Sequence, residues 1–236
     1  MKFDVVVLGA GAVGTALALH LALLGQRVAL VDRRGIGQET SYGNAGLIER
    51  STVVPYSFPR SPSRLLSYAL NGRSDARYDP RYLWRIAPWL TRFWWYSAPR
   101  RLARSAENLL PLVSACLSTH QELANVAGAE HLLVKDGWLE LILTDRGRED
   151  ALQRIASSAS VGVTGRLLDS SGLHEIEPSV SANVSAAVHW VDPWQTVDPG
   201  GLVEAWAGAF GERGGQFFVG DAQTLSFADG SWRVAT

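Results

Sequence analysis

The sequence has little of what would mark several other classes of protein. It contains one cysteine in 236 residues, Cys116, so no intrachain disulfide can form and the composition suits a reducing compartment. The formal net charge is −1, which argues against a nucleic-acid partner for the protein as a whole. The five histidines show no metal-ligand spacing, and neither a G-x-S-x-G nor a Walker A sequence occurs. We therefore expect no metal site and no nucleic-acid partner.

Long apolar runs and a secretory leader are missing as well. The longest apolar run, Ala16 to Leu24, is interrupted by His20 and is far shorter than the ~18 residues that a membrane-spanning helix needs. The first residues lack the basic, apolar and small-residue regions of a signal peptide. The sequence therefore predicts a cytoplasmic protein whose only form of membrane contact is peripheral.

The first 32 residues carry a nucleotide-binding pattern. The apolar run Val5 to Leu8 predicts a buried strand, a helical spacing of apolar residues follows, and a second apolar run ends at Asp32. The intervening sequence is Gly9-Ala10-Gly11-Ala12-Val13-Gly14, in which Gly9 permits a tight turn, Gly11 lets the backbone approach a pyrophosphate, and Gly14 lets the helix pack on the strand. Asp32 is placed to accept hydrogen bonds from an adenosine ribose. This βαβ unit fits NAD and FAD equally.

The loop after the second strand favours FAD. It reads Glu39-Thr40-Ser41-Tyr42-Gly43-Asn44-Ala45-Gly46, whereas a plain nicotinamide domain would enter another helix at this point. Small residues allow the backbone to approach a flat ring, and Ser41 and Asn44 can hydrogen bond to it. Simple turn formation would also explain Ser41 and Asn44, because both residue types favour loops.

The GAGAVG sequence, Asp32 and the ETSYGNAG loop together resemble the FAD-dependent amine and amino-acid oxidoreductases, and most closely the bacterial D-amino-acid dehydrogenases. The resemblance continues through residues 136–141, 167–178 and 197–199. It implies FAD as the cofactor, and it implies a set of cofactor-binding residues: Gly9, Ala10, Gly11, Ala12, Val13, Gly14, Asp32, Arg33, Ser41, Asn44, Ala45, Gly46 and Ala222. Glu49 and Arg50 stand where these dehydrogenases usually keep small residues, a departure that concerns the substrate more than the cofactor.

The resemblance also implies an activity. The expected reaction is oxidation of a D-amino acid to a 2-oxo acid and ammonium by hydride transfer to FAD, with a quinone or another acceptor taking the electrons. The sequence names no catalytic side chain, and Tyr56 is only a candidate to line the substrate site. A glycine- or sarcosine-type amine oxidase and a truncated, non-catalytic nucleotide-fold protein remain as alternatives. Because the resembling dehydrogenases are considerably longer, we expect the 236-residue chain alone to be inert and to hold FAD weakly.

The predicted fold is α/β, with two domains. Residues 1–50 and 197–236 are expected to form a Rossmann-like FAD-binding domain, and residues 51–196 an inserted mixed α+β substrate domain. The expected elements outside the βαβ unit are a helix over 105–127, a strand pair or one long strand over 132–144, a helix over 149–158, a helix capped by Asp198, a parallel strand over 216–219 and a hairpin of 225–227 with 232–234. We interpret Cys116 as a small buried apolar residue and not as a nucleophile.

The segment from Arg60 to Arg104 differs in composition from the rest. It holds ten arginines and two aspartates, a local charge of +8, which leaves −9 for the remaining residues. A helical spacing places apolar residues on one face and Arg81, Arg85 and Arg92 on the other, flanked by tryptophans, and Pro88 is expected to kink or split this helix. The segment fits two interpretations. It is either a solvated basic face whose aromatic residues pack on a neighbouring domain, or a peripheral membrane surface.

Overall fold

The computed structural model describes residues 2–50, 53, 55–70, 77–159, 161–180 and 184–236, without the side chains of residues 64 and 146. Two arginine-segment residues that entered the predicted charge, Arg73 and Asp75, lie outside this part. Two compact units are present, one made of residues 1–51 with 115–236 and the other of residues 52–114. The assignment of FAD binding to residues 1–50 and 197–236, and of the substrate to residues 51–196, stays a prediction.

The described helices and strands follow one another in this order: β1 (Val5–Leu8), α1 (Ala12–Leu23), β2 (Val28–Asp32), β3 (Leu47–Ile48), α2 (Pro62–Ala69), α3 (Leu83–Tyr96), α4 (Pro99–Ala127), β4 (Leu133–Val134), β5 (Trp138–Ile142), α5 (Asp145–Ala159), β6 (Gly165–Leu168), α6 (Ser170–Ile176), β7 (Ala186–Trp190), β8 (Trp194–Thr196), α7 (Pro199–Glu212), β9 (Gln216–Val219), β10 (Ser226–Ala228) and β11 (Ser231–Arg233). Short 3₁₀ turns precede α3, β4 and β10. Within the described ranges, no helix is both long and apolar enough to cross a bilayer.

A parallel sheet of β1, β2 and β9 forms the centre of the larger unit, with β2 between the other two strands. The register pairs Val5 with Val28 and Asp32 with Val219. Residues 28–31 are all buried, as expected for the central strand of a parallel sheet. Helix α1 connects β1 to β2, which confirms the predicted βαβ unit, and β9 confirms the predicted return of the chain to this sheet.

Helix α7 packs against α1 and completes the main core. The buried side chains of this core include Leu19 of α1, Leu30 of β2, and Trp206 and Phe210 of α7. The helix begins as predicted, because the Asp198 carboxylate accepts a hydrogen bond of 2.8 Å from the Gly201 N–H and caps the N-terminus.

Two antiparallel three-stranded sheets also belong to the larger unit, with strand orders β3-β8-β4 and β5-β7-β6. The stretch predicted as a strand pair or one long strand is divided between them, since β4 pairs with β8 and β5 with β7. The break lies at Gly137, whose φ is +70° and whose added Cβ would lie 1.9 Å from the Trp190 carbonyl oxygen. The turn between β4 and β5 needs glycine here, because the backbone is in the left-handed region and there is no room for a side chain. The predicted C-terminal hairpin is confirmed by the pairing of β10 with β11.

The smaller unit consists of α2, α3 and the part of α4 up to residue 114. Pro88 lies inside α3 without splitting it. Proline lacks an N–H, so the carbonyl of the residue four positions earlier, Trp84, loses its usual helical donor, and Trp84 is a solvent-exposed residue. Helix α4 starts earlier than predicted, at Pro99, because proline is favoured in the first turn of a helix.

Candidate functional site

A glycine turn links β1 to α1 at the carboxyl edge of the parallel sheet. Gly9 has a φ of +100° and donates its N–H to the Val31 carbonyl at 2.7 Å, which ends the strand and turns the chain. A Cβ added to Gly14 would lie 1.8 Å from the Gly9 carbonyl oxygen. The close packing of helix on strand that the sequence predicts for Gly14 is therefore present.

The first turn of α1 presents backbone N–H groups that can bind an anion. The Ala12 N–H donates to the Ser41 hydroxyl at 2.9 Å, whereas the N–H groups of Val13 and Gly14 have no hydrogen-bond partner among the described residues. The first turn carries no acidic side chain, and Val13 is 85% exposed. Open amides at the positive end of a helix fit a phosphate group.

Asp32 lies beside this turn, at the end of β2. Its Oδ2 accepts a hydrogen bond from the Ala10 N–H at 2.7 Å, and its Oδ1 accepts one from the Arg34 N–H at 3.0 Å. An ionised carboxylate can accept about four hydrogen bonds, so Asp32 keeps acceptor capacity for ribose hydroxyl groups. Its position is held further by its own carbonyl, which accepts the Gly220 N–H at 2.9 Å from the end of β9.

Two of the predicted cofactor residues lie near Asp32 on the surface. Arg33 forms an ion pair of 3.0 Å with Glu39, which also pairs with Arg34 at 3.1 Å. Ala222 is exposed in the 3₁₀ turn that follows β9, two residues beyond Gly220. The binding roles of Arg33 and Ala222 stay predictions.

The loop from Ser41 to Gly46 is shaped by its own side chains and by a contact with α1. Asn44 accepts the Gly46 N–H at 2.7 Å and donates to the Ser41 carbonyl at 3.3 Å, so the turn-forming interpretation describes Asn44 well. The Ser41 hydroxyl instead bonds to α1, 29 residues away in the sequence. Gly46 has a φ of +68°, and an added Cβ would lie 2.3 Å from the Thr196 carbonyl oxygen. Ala45 is exposed in the same loop.

A cavity of about 200 Å³ adjoins this loop. Three of its lining residues, Ala12, Asn44 and Gly46, belong to the predicted cofactor set. The other lining residues are Leu47, Ile48, His120, Thr196, Pro199, Leu202, Val203 and Trp206. The structure thus brings the start of α1, the glycine-containing loop and α7 around one space.

Two residues of this cavity have no signal in the sequence. The Nδ1 of His120 lies 2.7 Å from the Cys116 carbonyl, and the imidazole ring is 5.7 Å from the ring of Trp206. Trp206 is 2% exposed, and its indole N–H has no hydrogen-bond partner among the described residues. His120 is one of several scattered histidines, and Trp206 continues an apolar stripe, so neither stands out before folding.

The residues present therefore fit a dinucleotide. They combine a turn with glycine at positions 9 and 11, two open amides, a carboxylate with spare acceptor positions and an adjoining cavity.

The other two side chains considered in the sequence lie elsewhere. Tyr56 is 85% exposed and lines an apolar groove of about 630 Å³ within the smaller unit, so its part in a substrate site stays a prediction. Cys116 is partly buried and donates its S–H to the Glu49 carbonyl at 3.3 Å. Burial raises the pKa of the Cys116 thiol, which keeps it protonated and agrees with its interpretation as a non-nucleophilic residue.

Comparison with known sequences identifies relatives over most of the chain. The family model described as "FAD dependent oxidoreductase" matches residues 4–236. The D-amino acid dehydrogenase of Granulibacter bethesdensis is 29% identical over 177 residues, which are 75% of this chain and 42% of that protein. The D-amino-acid oxidase of Bradyrhizobium diazoefficiens is 29% identical over 208 residues, 86% of this chain and 49% of that protein. The chain thus spans less than half the length of these relatives.

Solved structures share the fold. A glycine oxidase from Bacillus cereus superposes with a TM-score of 0.61 at 19% identity, covering 97% of this chain and 49% of its own. An L-proline dehydrogenase from P. horikoshii gives a TM-score of 0.60 at 17% identity, covering 99% of this chain and 48% of its own. These likenesses confirm the predicted α/β fold. The family match confirms FAD over NAD as the cofactor class, and the chain belongs to the FAD dependent oxidoreductase family.

Proposed function

We propose that this chain carries the FAD-binding part of an oxidoreductase that converts a D-amino acid to a 2-oxo acid and ammonium. The observation that supports cofactor binding most directly is the start of α1, where the amides of Val13 and Gly14 are open beside a carboxylate, Asp32, that keeps acceptor capacity. The proposal takes its substrate class from the names of two relatives, a D-amino acid dehydrogenase and a D-amino-acid oxidase.

In this proposal the residues act by binding and positioning. The Val13 and Gly14 amides bind the pyrophosphate, and Asp32 accepts the ribose hydroxyl groups. Ser41 holds the loop against α1, so that the backbone at the small residues Gly43, Ala45 and Gly46 can approach a ring system. The proposed cofactor set otherwise comprises the predicted residues Gly9, Ala10, Gly11, Ala12, Arg33, Asn44, Ala45, Gly46 and Ala222. FAD, when bound, supplies the acceptor for a hydride from the substrate α-carbon.

Substrate oxidation leaves an imino acid, which water hydrolyses to the 2-oxo acid and ammonium. The electrons then leave to a quinone or another acceptor. No side-chain base is assigned, because hydride transfer to a flavin requires chiefly that the reactants are positioned and that competing reactions are excluded.

The test compares FAD binding by the longest natural form of the protein with binding by two valine variants of that form. A Cβ at Gly11 would lie 3.1 Å from the Ser41 hydroxyl, and the rest of a valine side chain would extend over the turn, so Gly11→Val should abolish binding. Gly208 in α7 has nothing within 4 Å of an added Cβ, so Gly208→Val should bind FAD like the unchanged chain. Binding is measured by the quenching of flavin fluorescence. Equal FAD binding by both variants would contradict the assignment of the glycine turn.

The substrate class needs a separate measurement. Reduction of an acceptor dye is followed with D-alanine, L-alanine, glycine and sarcosine, using the longest natural form of the protein. Faster reduction with D-alanine than with the other three supports the proposal. A preference for glycine or sarcosine would overturn the D-amino-acid assignment while leaving the FAD site intact.

A further inference from the structure

The arginines of the smaller unit have few acidic neighbours. Of the arginines between Arg60 and Arg104, none of those whose side chains are described forms an ion pair with a described carboxylate. The nearest described acid in the sequence, Asp79, uses its Oδ1 to accept the Arg81 N–H at 2.9 Å. The positive charge of this segment is therefore not neutralised within the described part of the unit.

The solvent-facing side of α3 places arginines between tryptophans. Arg85 and Arg92 are seven residues apart, so at 3.6 residues per turn they share one face, opposite to the half-buried apolar stripe. Trp84 and Trp95 lie on one side of this face, and Trp89 lies on the other. These three tryptophan residues, Trp84, Trp95 and Trp89, are 70%, 53% and 60% exposed, respectively. Large aromatic side chains are rarely left in water in such numbers on one helix, so this exposure itself calls for a partner.

Arginines also stack directly on the tryptophans at the end of α3. The guanidinium of Arg60 lies 4.4 Å from the centre of the Trp94 ring and donates to the Trp94 carbonyl at 2.7 Å. The guanidinium of Arg101 lies 3.9 Å from the Trp95 ring and donates to the Trp95 carbonyl at 3.0 Å. Two guanidinium groups thus lie over two indole rings at the C-terminal end of α3. Each pair presents a charge and an apolar plane at the same point of the surface.

The start of α4 adds positive charge to the same unit. Its first residues include Arg100, Arg101 and Arg104, which line an open cleft together with Ala98 and Pro99. No acidic residue occupies this first turn. Cations at the positive end of a helix oppose its dipole, so this arrangement is most favourable when an anion lies nearby.

We propose that the exposed arginines and tryptophans of residues 81–104, which we call the Arg-Trp surface, dock the protein on an anionic phospholipid bilayer. Arginine side chains are attracted to anionic headgroups, and tryptophan rings favour the boundary between headgroups and acyl chains. A basic face flanked by indole rings meets both requirements at once, because the rings enter the boundary on either side of the charged contacts. A protein partner would have to supply many carboxylates as well as apolar pockets, whereas an anionic bilayer offers both over any area.

The first test is co-sedimentation of the unchanged protein with vesicles of phosphatidylcholine and increasing fractions of phosphatidylglycerol. Binding should be absent with phosphatidylcholine alone, should rise with the anionic fraction, and should fall as salt is raised from 0.05 to 0.5 M, because screening weakens exposed charge interactions. If the protein stays in the supernatant with anionic vesicles at low salt, the proposal is wrong. That result would also be expected if another protein segment or a second copy covers the surface.

The second test removes charge from this surface only. Arg81→Glu, Arg85→Glu and Arg92→Glu together should lower the partition coefficient at least about a hundredfold, since each basic residue near an anionic surface contributes close to a fivefold preference. The control reverses three exposed cations in the larger unit, Lys2→Glu, Arg148→Glu and Arg166→Glu, which changes the net charge equally. The control variant should sediment like the unchanged protein. Equal losses in both triple variants would show a general charge effect and overturn the docking surface.

The tryptophans are tested by quenching with brominated lipids. In anionic vesicles, fluorescence quenching should decrease when Trp84 is replaced by alanine, but not when the similarly exposed Trp232 of β11 is replaced. Far-UV circular dichroism of each variant checks that the fold is kept. A heparin or oligonucleotide competitor distinguishes lipid from nucleic acid. Tight binding of an oligonucleotide without vesicle binding would overturn the membrane proposal.

Discussion

A single methyl group added at Gly14 tests whether the close packing of α1 on β1 maintains the nucleotide site. In the structure, the Cβ of Gly14→Ala would lie 1.8 Å from the Gly9 carbonyl oxygen. Cβ atoms essentially never lie within 3.0 Å of non-bonded heavy atoms outside their own residue and its chain neighbours, so this distance has to increase to at least that value. Both atoms belong to the backbone or are attached directly to it. The start of the helix or the glycine turn must therefore move.

The size of the effect follows from two opposing contributions. Overpacking of this kind costs about 1 to 3 kcal/mol, whereas alanine in a helix is favoured over glycine by up to about 1 kcal/mol. We expect Gly14→Ala to lower the free energy of unfolding by about 1 to 2 kcal/mol. If the displaced turn loses one amide-to-phosphate hydrogen bond, the binding free energy of FAD should fall by about 1.5 to 3 kcal/mol. The Kd for FAD should then rise by about tenfold or more.

The matched control makes the same chemical change where there is room. Gly208 lies inside α7, is exposed, and has nothing within 4 Å of an added Cβ. Gly208→Ala should raise the free energy of unfolding by about 0.5 to 1 kcal/mol, because glycine has the higher conformational entropy in the unfolded chain. Urea unfolding followed by circular dichroism measures both variants, and flavin fluorescence measures FAD affinity. If Gly14→Ala is as stable as Gly208→Ala and binds FAD like the unchanged chain, the packing argument is refuted.

Three further results are expected. Gly46→Ala should lower the free energy of unfolding by more than about 1 kcal/mol, because Gly46 has a positive φ and an added Cβ would meet a backbone oxygen. Gly43→Ala, with open space around its Cβ, should change the free energy of unfolding by less than about 0.5 kcal/mol. Equal effects of the two substitutions would contradict this geometry. The Arg27 guanidinium lowers the pKa of Asp4 to about 2, below its ordinary value of 3.8 in the unfolded chain, so the resulting stability is present above about pH 4 and is lost as the pH falls to 2. Asp4→Asn should reduce the change in unfolding free energy over this interval, and an unchanged pH dependence would disprove the pairing. Burial raises the pKa of Cys116, so its reaction with iodoacetamide at pH 8 should be slower than that of free cysteine and should accelerate in urea; a rate equal to that of free cysteine would be inconsistent with the structure.

Local patterns in the sequence determined the elements that depend on neighbouring residues. The apolar run Val5–Leu8, the glycine turn and the second run ending at Asp32 predict the βαβ unit, because strand burial, tight turns and helix starts each have their own residue preferences. The same holds for the cap at Asp198 and for the hairpin turn, where Asp229 and Gly230 both have positive φ, as in a type I′ turn. The prediction of FAD rather than NAD as the cofactor followed from the loop that ends at Gly46.

Tertiary structure alone decided which distant residues meet. Sequence spacing does not show that the Ser41 hydroxyl bonds to the start of α1, or that His120 and Trp206 enclose a cavity with Asn44. It also leaves open that β4 and β5 belong to different sheets. Helical and strand periodicity report only which side of an element is apolar, and the partner on that side is selected by packing among elements far apart in the chain. The nucleotide fingerprint is local and could be predicted, whereas the cavity beside it exists only once α4 and α7 are in place.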